Sequence, residues 1–180
     1  MLNKHLVLLS SLLVILSGSF ALASEEDMNH QQWTSGLIYD QQDTFVALTE
    51  HMGEYGEVVL YIGRTTDNCD AWDLSFTVME GNLAPETLES DVMLGQLRVD
   101  KSQTHDLPYN ISFEKNTSYI FVEFTESDDQ EVILSELLQG DRLRIKIVVN
   151  NSEYVVGFPL QGAQEAIQRS KWLCNGHMHD

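Results

Sequence analysis

Past residue 32 the chain is written in short runs of alternating apolar and polar residues, closed by Gly, Asn, Asp or Pro, which predicts β-strands joined by turns. Runs at 33–39, 44–49, 57–63 and 72–79 fill the first half, with neighbours pairing antiparallel. The segment Gly53-Glu54-Tyr55-Gly56 makes a turn, and a polar loop carrying Cys69 separates the third and fourth runs. Residues 24–32 read as a polar stub and residues 80–91, EGNLAPETLESD, as a long loop. Further strands are expected at 95–100, 109–113 and 118–125. In the last, Ile120, Val122 and Phe124 face one way and Tyr119, Phe121 and Glu123 the other. Both faces are largely apolar, which predicts a strand in the middle of a sheet.

The period changes at 127–140. Ser127 with Gln130 three residues on makes a capping box, and Asp128, Asp129 and Glu131 put negative charge at the positive end of the helix dipole. Ile133, Leu134, Leu137 and Leu138 form one apolar face, and Gly140 ends the helix. Residues 141–149 return to strict alternation, Leu143, Ile145 and Ile147 inward and Arg142, Arg144 and Lys146 outward. Asn150-Asn151-Ser152 turns the chain into a hairpin partner at 153–158. A closing helix begins near Gly162, where Ala163, Ala166, Ile167, Ser170 and Cys174 make a stripe narrow enough to sit close on a sheet, with Glu165 and Arg169 paired outside. The expected fold is mainly β (α+β): one antiparallel β-sandwich-like domain over 24–174, with a short internal helix, a C-terminal helix and a flexible tail at 175–180.

Residues 1–23 read as an export signal: Lys4 and His5, an apolar stretch at 6–15, and the small-x-small triplet Ala21-Leu22-Ala23 before the cleavage point. The apolar stretch is shorter than the roughly 20 residues that span a bilayer, so no stable membrane anchor is expected once the signal is cut. Cleavage removes Lys4 and no acid, leaving nine basic residues against 28 acidic ones, a formal charge of −19. Such a charge repels phosphate backbones and anionic lipid, which argues against nucleic acid and against membrane docking through charge; it serves the solubility of an exported protein or, as the alternative, shapes a surface for a basic protein partner or a cation. Exported, the protein is periplasmic or secreted, where two cysteines are most simply one disulfide, Cys69 to Cys174. A ring of about 105 residues is worth roughly 4 to 5 kcal/mol on chain-entropy grounds.

No G-x-S-x-G turn and no Gly-rich phosphate loop occurs. Cys174, His177, Met178, His179 and Asp180 are the one cluster of potential metal ligands, but a frayed end pays ordering entropy, and no cofactor or metal is assigned. A helix C-terminus is the wrong field for a reactive thiolate, which argues against Cys174 as a nucleophile with His177 as base. The oxygen-bearing side chains of Asp67, Asn68, Asp70 and Asp73 around Cys69 lack the spacing and glycine of a calcium loop and read as a solvated turn. Asp40, Asp43, Glu50 and Glu54 could supply paired carboxylates for sugar chemistry, with Trp33 and Tyr55 as stacking aromatics. Sequons at Asn110, Asn116 and Asn150 carry no glycan in a bacterial chain, which the compact Ala-x-Ala signal suggests.

The order of DQQDTFVALTE, YIGRTTDNCD, GQLRVD, ILSELLQGDRLRIKI and FPLQGAQEAIQRSKWLC across residues 40–174 resembles the VasI/TagO-like accessory proteins of bacterial type VI secretion. Over coarser features it is also similar to IalB-like (invasion-associated locus B) exported proteins. Arg98 and Asp100 carry part of that pattern's R-x-D element. The resemblance implies a non-enzymatic periplasmic accessory or protein-interaction protein serving type VI secretion or another envelope machine, and it implies no catalytic residues. The alternative expectation is an acidic inhibitor or immunity protein against a basic toxin or lysozyme-like enzyme.

Overall fold

The computed structural model describes residues 28–38, 44–53, 56–79, 93–113, 119–125, 128–149 and 152–177. The signal segment, the acidic loop at 80–91 and the last three residues lie outside them. The described chain is mainly β: β1 Met28–His30, β2 Trp33–Ile38, β3 Thr44–Gly53, β4 Gly56–Thr65, β5 Asn68–Met79, β6 Met93–Val99, β7 His105–Phe113, β8 Tyr119–Phe124, β9 Arg142–Val149 and β10 Ser152–Pro159. Two helices, α1 Gln130–Gln139 and α2 Ala163–His177, complete it. Among the described residues no helix is long and apolar enough to cross a membrane.

All ten strands form one antiparallel sheet in the order β1-β2-β3-β4-β5-β8-β7-β6-β9-β10. The first five follow one another as a meander. The chain then moves three places along to β6 and works back through β7 to β8, which pairs with β5. β8 is therefore interior, as its two apolar faces require, and Ile120, Val122 and Phe124 are its buried set.

Alternation puts one residue set on a common inner face through every register: Leu60 opposite Phe76, Phe76 opposite Val122, Leu97 opposite Ile145, Leu143 opposite Phe158. On a flat sheet β5 and β10, five places apart, would stand about 24 Å from each other at ~4.8 Å per strand. The rings of Phe76 and Phe158 are instead 6.5 Å apart, and Phe76 also meets Phe124 at 6.2 Å. The two-layer packing of a sandwich is thus made by a single sheet curling onto itself. Tyr109 ties the curl at one place where β6 no longer reaches β9. Its hydroxyl donates to the carbonyl of Val148 at 2.7 Å and accepts from the amide of Val148 at 3.0 Å.

The two ends of the sheet meet at a seam without a ladder. Trp33 donates its indole N–H to the carbonyl of Pro159 at 2.9 Å, and the amide of Gln32 reaches Gln161 at 3.3 Å. Gly162, at φ +93°, turns the chain into α2 so tightly that a Cβ there would overlap the carbonyl of His30. Only glycine combines that conformation with that approach. From the seam α2 runs along the inner face, burying Ala163, Ala166, Ile167, Ser170 and Cys174, and it continues three residues beyond Cys174.

Three local expectations are corrected. Residues 28–30 of the expected stub form β1, because pairing Met28, Asn29 and His30 with Ser35, Thr34 and Trp33 gives these three residues a ladder. The helix starts later than the capping box at Ser127 and Gln130 would place it: α1 begins after Asp129, which makes no side-chain cap, and Ser127 lies outside the described residues. Tertiary partners take the groups instead. Gln130 donates to the carbonyl of Trp72 at 2.9 Å, and Asp129 turns to buried His105 at 3.2 Å, whose other ring nitrogen meets Glu136 at 3.1 Å. Finally, Cys69 is not in a loop but in β5, and the reason lies in the chemistry around it.

Candidate functional site

At the end of the molecule farthest along α2 from the seam, the β4–β5 hairpin is irregular. Gly63 pairs with Asp73, yet Thr65 pairs with Asn68, so one residue of β4, Arg64, stands against four of β5, Cys69 to Trp72. Those extra residues leave backbone groups without ladder partners, and buried ones must find others. Asn68 Oδ1 accepts from the amides of Asp70 and Ala71 at 3.2 and 3.3 Å. Arg64 supplies the donors: its Nη1 reaches the carbonyls of Cys69, Asp70 and Ala71 at 2.9, 3.3 and 3.0 Å. The guanidinium is only 2% exposed, and its Nε has no partner among the described residues. Burial draws its pKa down, with the charge of Asp70 opposing. It remains cationic, because no protein environment deprotonates arginine at neutral pH.

This hairpin is where α2 is fastened. Cys69 and Cys174 are joined, with Cα atoms 5.7 Å apart and 105 residues between them in sequence. Leu37, Phe45 and Leu173 close around the bridge in an apolar cluster. Lys171 pairs with Asp70 at 2.6 Å and holds its carboxyl below the ordinary aspartate range, first by that hydrogen bond and then by its charge. Trp172, next along the helix, points outward and is 68% exposed, and Asp67, Asn68, Asp70 and Asp73 are exposed on the hairpin. The acids expected to be solvated around Cys69 are thus at the surface, with Asp70 paired to Lys171.

The seam holds the second feature, a groove of about 680 Å³ between β3 and β10, lined by Gln32, Glu50, His51, Asp141, Arg142 and Gln161. Of the acids considered for sugar chemistry only Glu50 is described; burial, then the charge of Glu57, pushes its carboxyl above the ordinary glutamate range. Trp33 is no stacking platform. It is 1% exposed and spends its N–H on the seam. Asp40, Asp43, Glu54 and Tyr55 lie outside the described residues, as do Met178, His179 and Asp180 and the side chain of His177. Among the described residues no group of three or more His, Cys, Asp or Glu side chains is placed to hold a metal ion.

Two buried polar clusters were not legible as such in the sequence. His105 is held between Asp129 and Glu136, and Ser102 donates to Glu136 at 2.8 Å, tying α1 to the start of β7. Near the seam, His30 Nε2 lies 2.9 Å from Ser35 Oγ, to which Arg169 donates at 3.2 Å. The serine and histidine are at nucleophile–base distance, but Ser35 is wholly buried under α2, out of reach of a substrate. Burial first, and Arg169 second, lower the pKa of His30, while Glu165 opposes them.

No family model, curated protein or solved structure matches this chain.

Two outcomes follow from these contacts. Arg64→Met removes a buried charge but orphans three carbonyls, and urea unfolding should show a loss of about 2 kcal/mol; a loss within experimental error would contradict the role given to Arg64. For His30, folding lowers proton affinity, so the unfolded chain takes the proton first and His30 subtracts stability as pH falls through the ordinary histidine range. An NMR titration should place its midpoint below that of an exposed histidine, and Arg169→Ala should raise it part of the way. A midpoint at the exposed value, or one indifferent to Arg169→Ala, would contradict the arrangement.

Proposed function

We propose that the protein acts outside the cytoplasm as a non-enzymatic interaction module, presenting the acidic rim of the β4–β5 hairpin and Trp172 to a basic protein partner. The observation that carries this reading is Trp172, 68% exposed on a helix whose neighbouring residues are fixed by the Cys69–Cys174 bond and the Lys171–Asp70 pair. A rigid, exposed tryptophan beside unburied charge is the composition of a binding hot spot, where large apolar area is available at little further entropy cost. The disulfide supports an oxidising compartment, in line with the export signal read in residues 1–23. The resemblance to VasI/TagO-like proteins points the reading toward an accessory role in type VI secretion or another envelope machine.

A second reading is favoured by the charge. An exported chain with 28 acids against the nine bases that remain after cleavage, and an acidic hairpin tied by a disulfide, suits an inhibitor or immunity protein that captures a basic toxin or lysozyme-like enzyme by fast, charge-steered association. The identity of the captured protein separates the two.

Pull-down from periplasmic extract at low salt, where acidic surfaces bind most strongly, is the test. The wild type should retain a partner of basic pI, and Trp172→Ala should weaken retention by about thirtyfold, the equivalent of a 2 kcal/mol hot spot. No partner, or equal retention by both proteins, would overturn the reading.

A further inference from the structure

The few basic residues of this acidic chain are not spread evenly. On the outer face of the sheet β6, β9 and β10 lie side by side, and Arg98 and Arg144 are directly opposed across the β6–β9 ladder. Arg142 stands two residues from Arg144 on the same face of β9, and Lys146 two residues the other way. Directly opposed like charges weaken a sheet. Yet with nearly three acids for every base in the chain, none of the three arginines has a carboxylate at ion-pair distance among the described residues. Lys146, in contrast, is neutralised by Glu153 at 2.6 Å.

The backbone is shaped around these side chains. Gly157 of β10 faces Arg144, and the guanidinium of Arg142 lies over it: a Cβ at 157 would stand 3.0 Å from Nη2, 3.1 Å from Nε and 3.4 Å from Cζ. Asp100 fixes the root of this strand, accepting from the amides of Asp141 and Arg142 at 2.8 and 3.0 Å. A shallow hollow of about 230 Å³ runs between Arg98, Arg144 and Lys146, floored at its sides by Thr104 and Val155. Val155 and Leu94 are exposed apolar side chains on the same face.

We infer that this arginine row is a recognition site for an acidic polypeptide segment of a partner protein. Guanidinium groups bind carboxylates through paired N–H donors, and neighbouring positions in the row stand about 5 to 7 Å apart, set by strand spacing and by two residues of rise. That spread suits several carboxylates on one extended chain rather than one compact anion. Val155 and Leu94 offer contacts to apolar side chains between the acids, which a polyanionic sugar lacks. The charge of the whole molecule sets the size of the ligand. A membrane or a duplex would carry its phosphates past the patch onto acidic surface, whereas a short acidic segment stays within it. At physiological salt the screening length is about 8 Å, so distant acids are muted while contacts at the row remain.

The site is independent of Trp172 and of the acidic hairpin, and its test leaves both intact. A fluorescently labelled hexaglutamate peptide, titrated at about 0.15 M salt, should bind the full-length mature protein. The double variant Arg98→Gln and Arg144→Gln should bind it at least tenfold more weakly. The variant should also melt no lower than the wild type, because the substitutions remove a repulsion; a structural role for the arginines would instead lower the melting temperature. Gly157→Ala, which displaces the guanidinium of Arg142, should weaken binding as well. Equal binding by wild type and double variant would overturn the proposal. So would displacement of the peptide by millimolar inorganic phosphate, which would mark a small-anion site, or by a sulfated oligosaccharide of equal charge, which would mark a glycan site.

Discussion

A single sheet whose inner face is apolar from β2 to β10 must be shut where its ends meet, and here hydrogen-bonded pairing does not shut it. The closure falls to a few unlike contacts: the indole of Trp33 on Pro159, the tight turn at Gly162 against His30, and the length of α2 laid across the inner face of the first strands. Small residues on α2 set how near it can come, since Ala163, Ala166 and Ser170 are all fully buried. The apolar interior, with Phe76 between Phe124 and Phe158, exists only while that closure holds.

The disulfide matters through where it ties rather than through its strength alone. It fastens the far end of α2 to a stretch of sheet whose backbone is irregular, the four residues of β5 that face only Arg64. There one guanidinium holds three carbonyls that the ladder leaves free. On the hairpin Asp67, Asp70 and Asp73 are exposed, while Arg98, Arg142 and Arg144 on the outer face of β6 and β9 have no carboxylate at ion-pair distance among the described residues.

Much of this was written in the alternation. The inward and outward sets of β9, the interior place of β8, the apolar face of α1 and the stripe of α2 appear where periodicity puts them, because each is decided by burial of its own side chains. What escaped was decided elsewhere. β1 is the three residues Met28, Asn29 and His30, whose strand character comes from β2. The start of α1 is set by Trp72 and His105, not by its own capping residues. The excess in β5 leaves no periodic trace, so Cys69 looked like part of a loop. One signal was present and went unread: Arg64 stands in phase with buried Val58, Leu60 and Ile62, and His105 in phase with Leu107 and Tyr109. A charged or titratable residue on the core side of a strand announces a buried polar partner. The pairing of Arg98 with Arg144 could not be seen at all without the register.

If α2, pinned at Cys69, is what holds the seam, then the two halves of the sheet should respond differently when the pin is removed. Native-state hydrogen exchange on oxidised and reduced protein reads this directly. The account predicts that reduction strips protection from α2, β1 and β2, while the amides of β6, β7 and β9 stay protected. Equal loss across all ten strands, or unchanged protection in α2 after reduction, would contradict it.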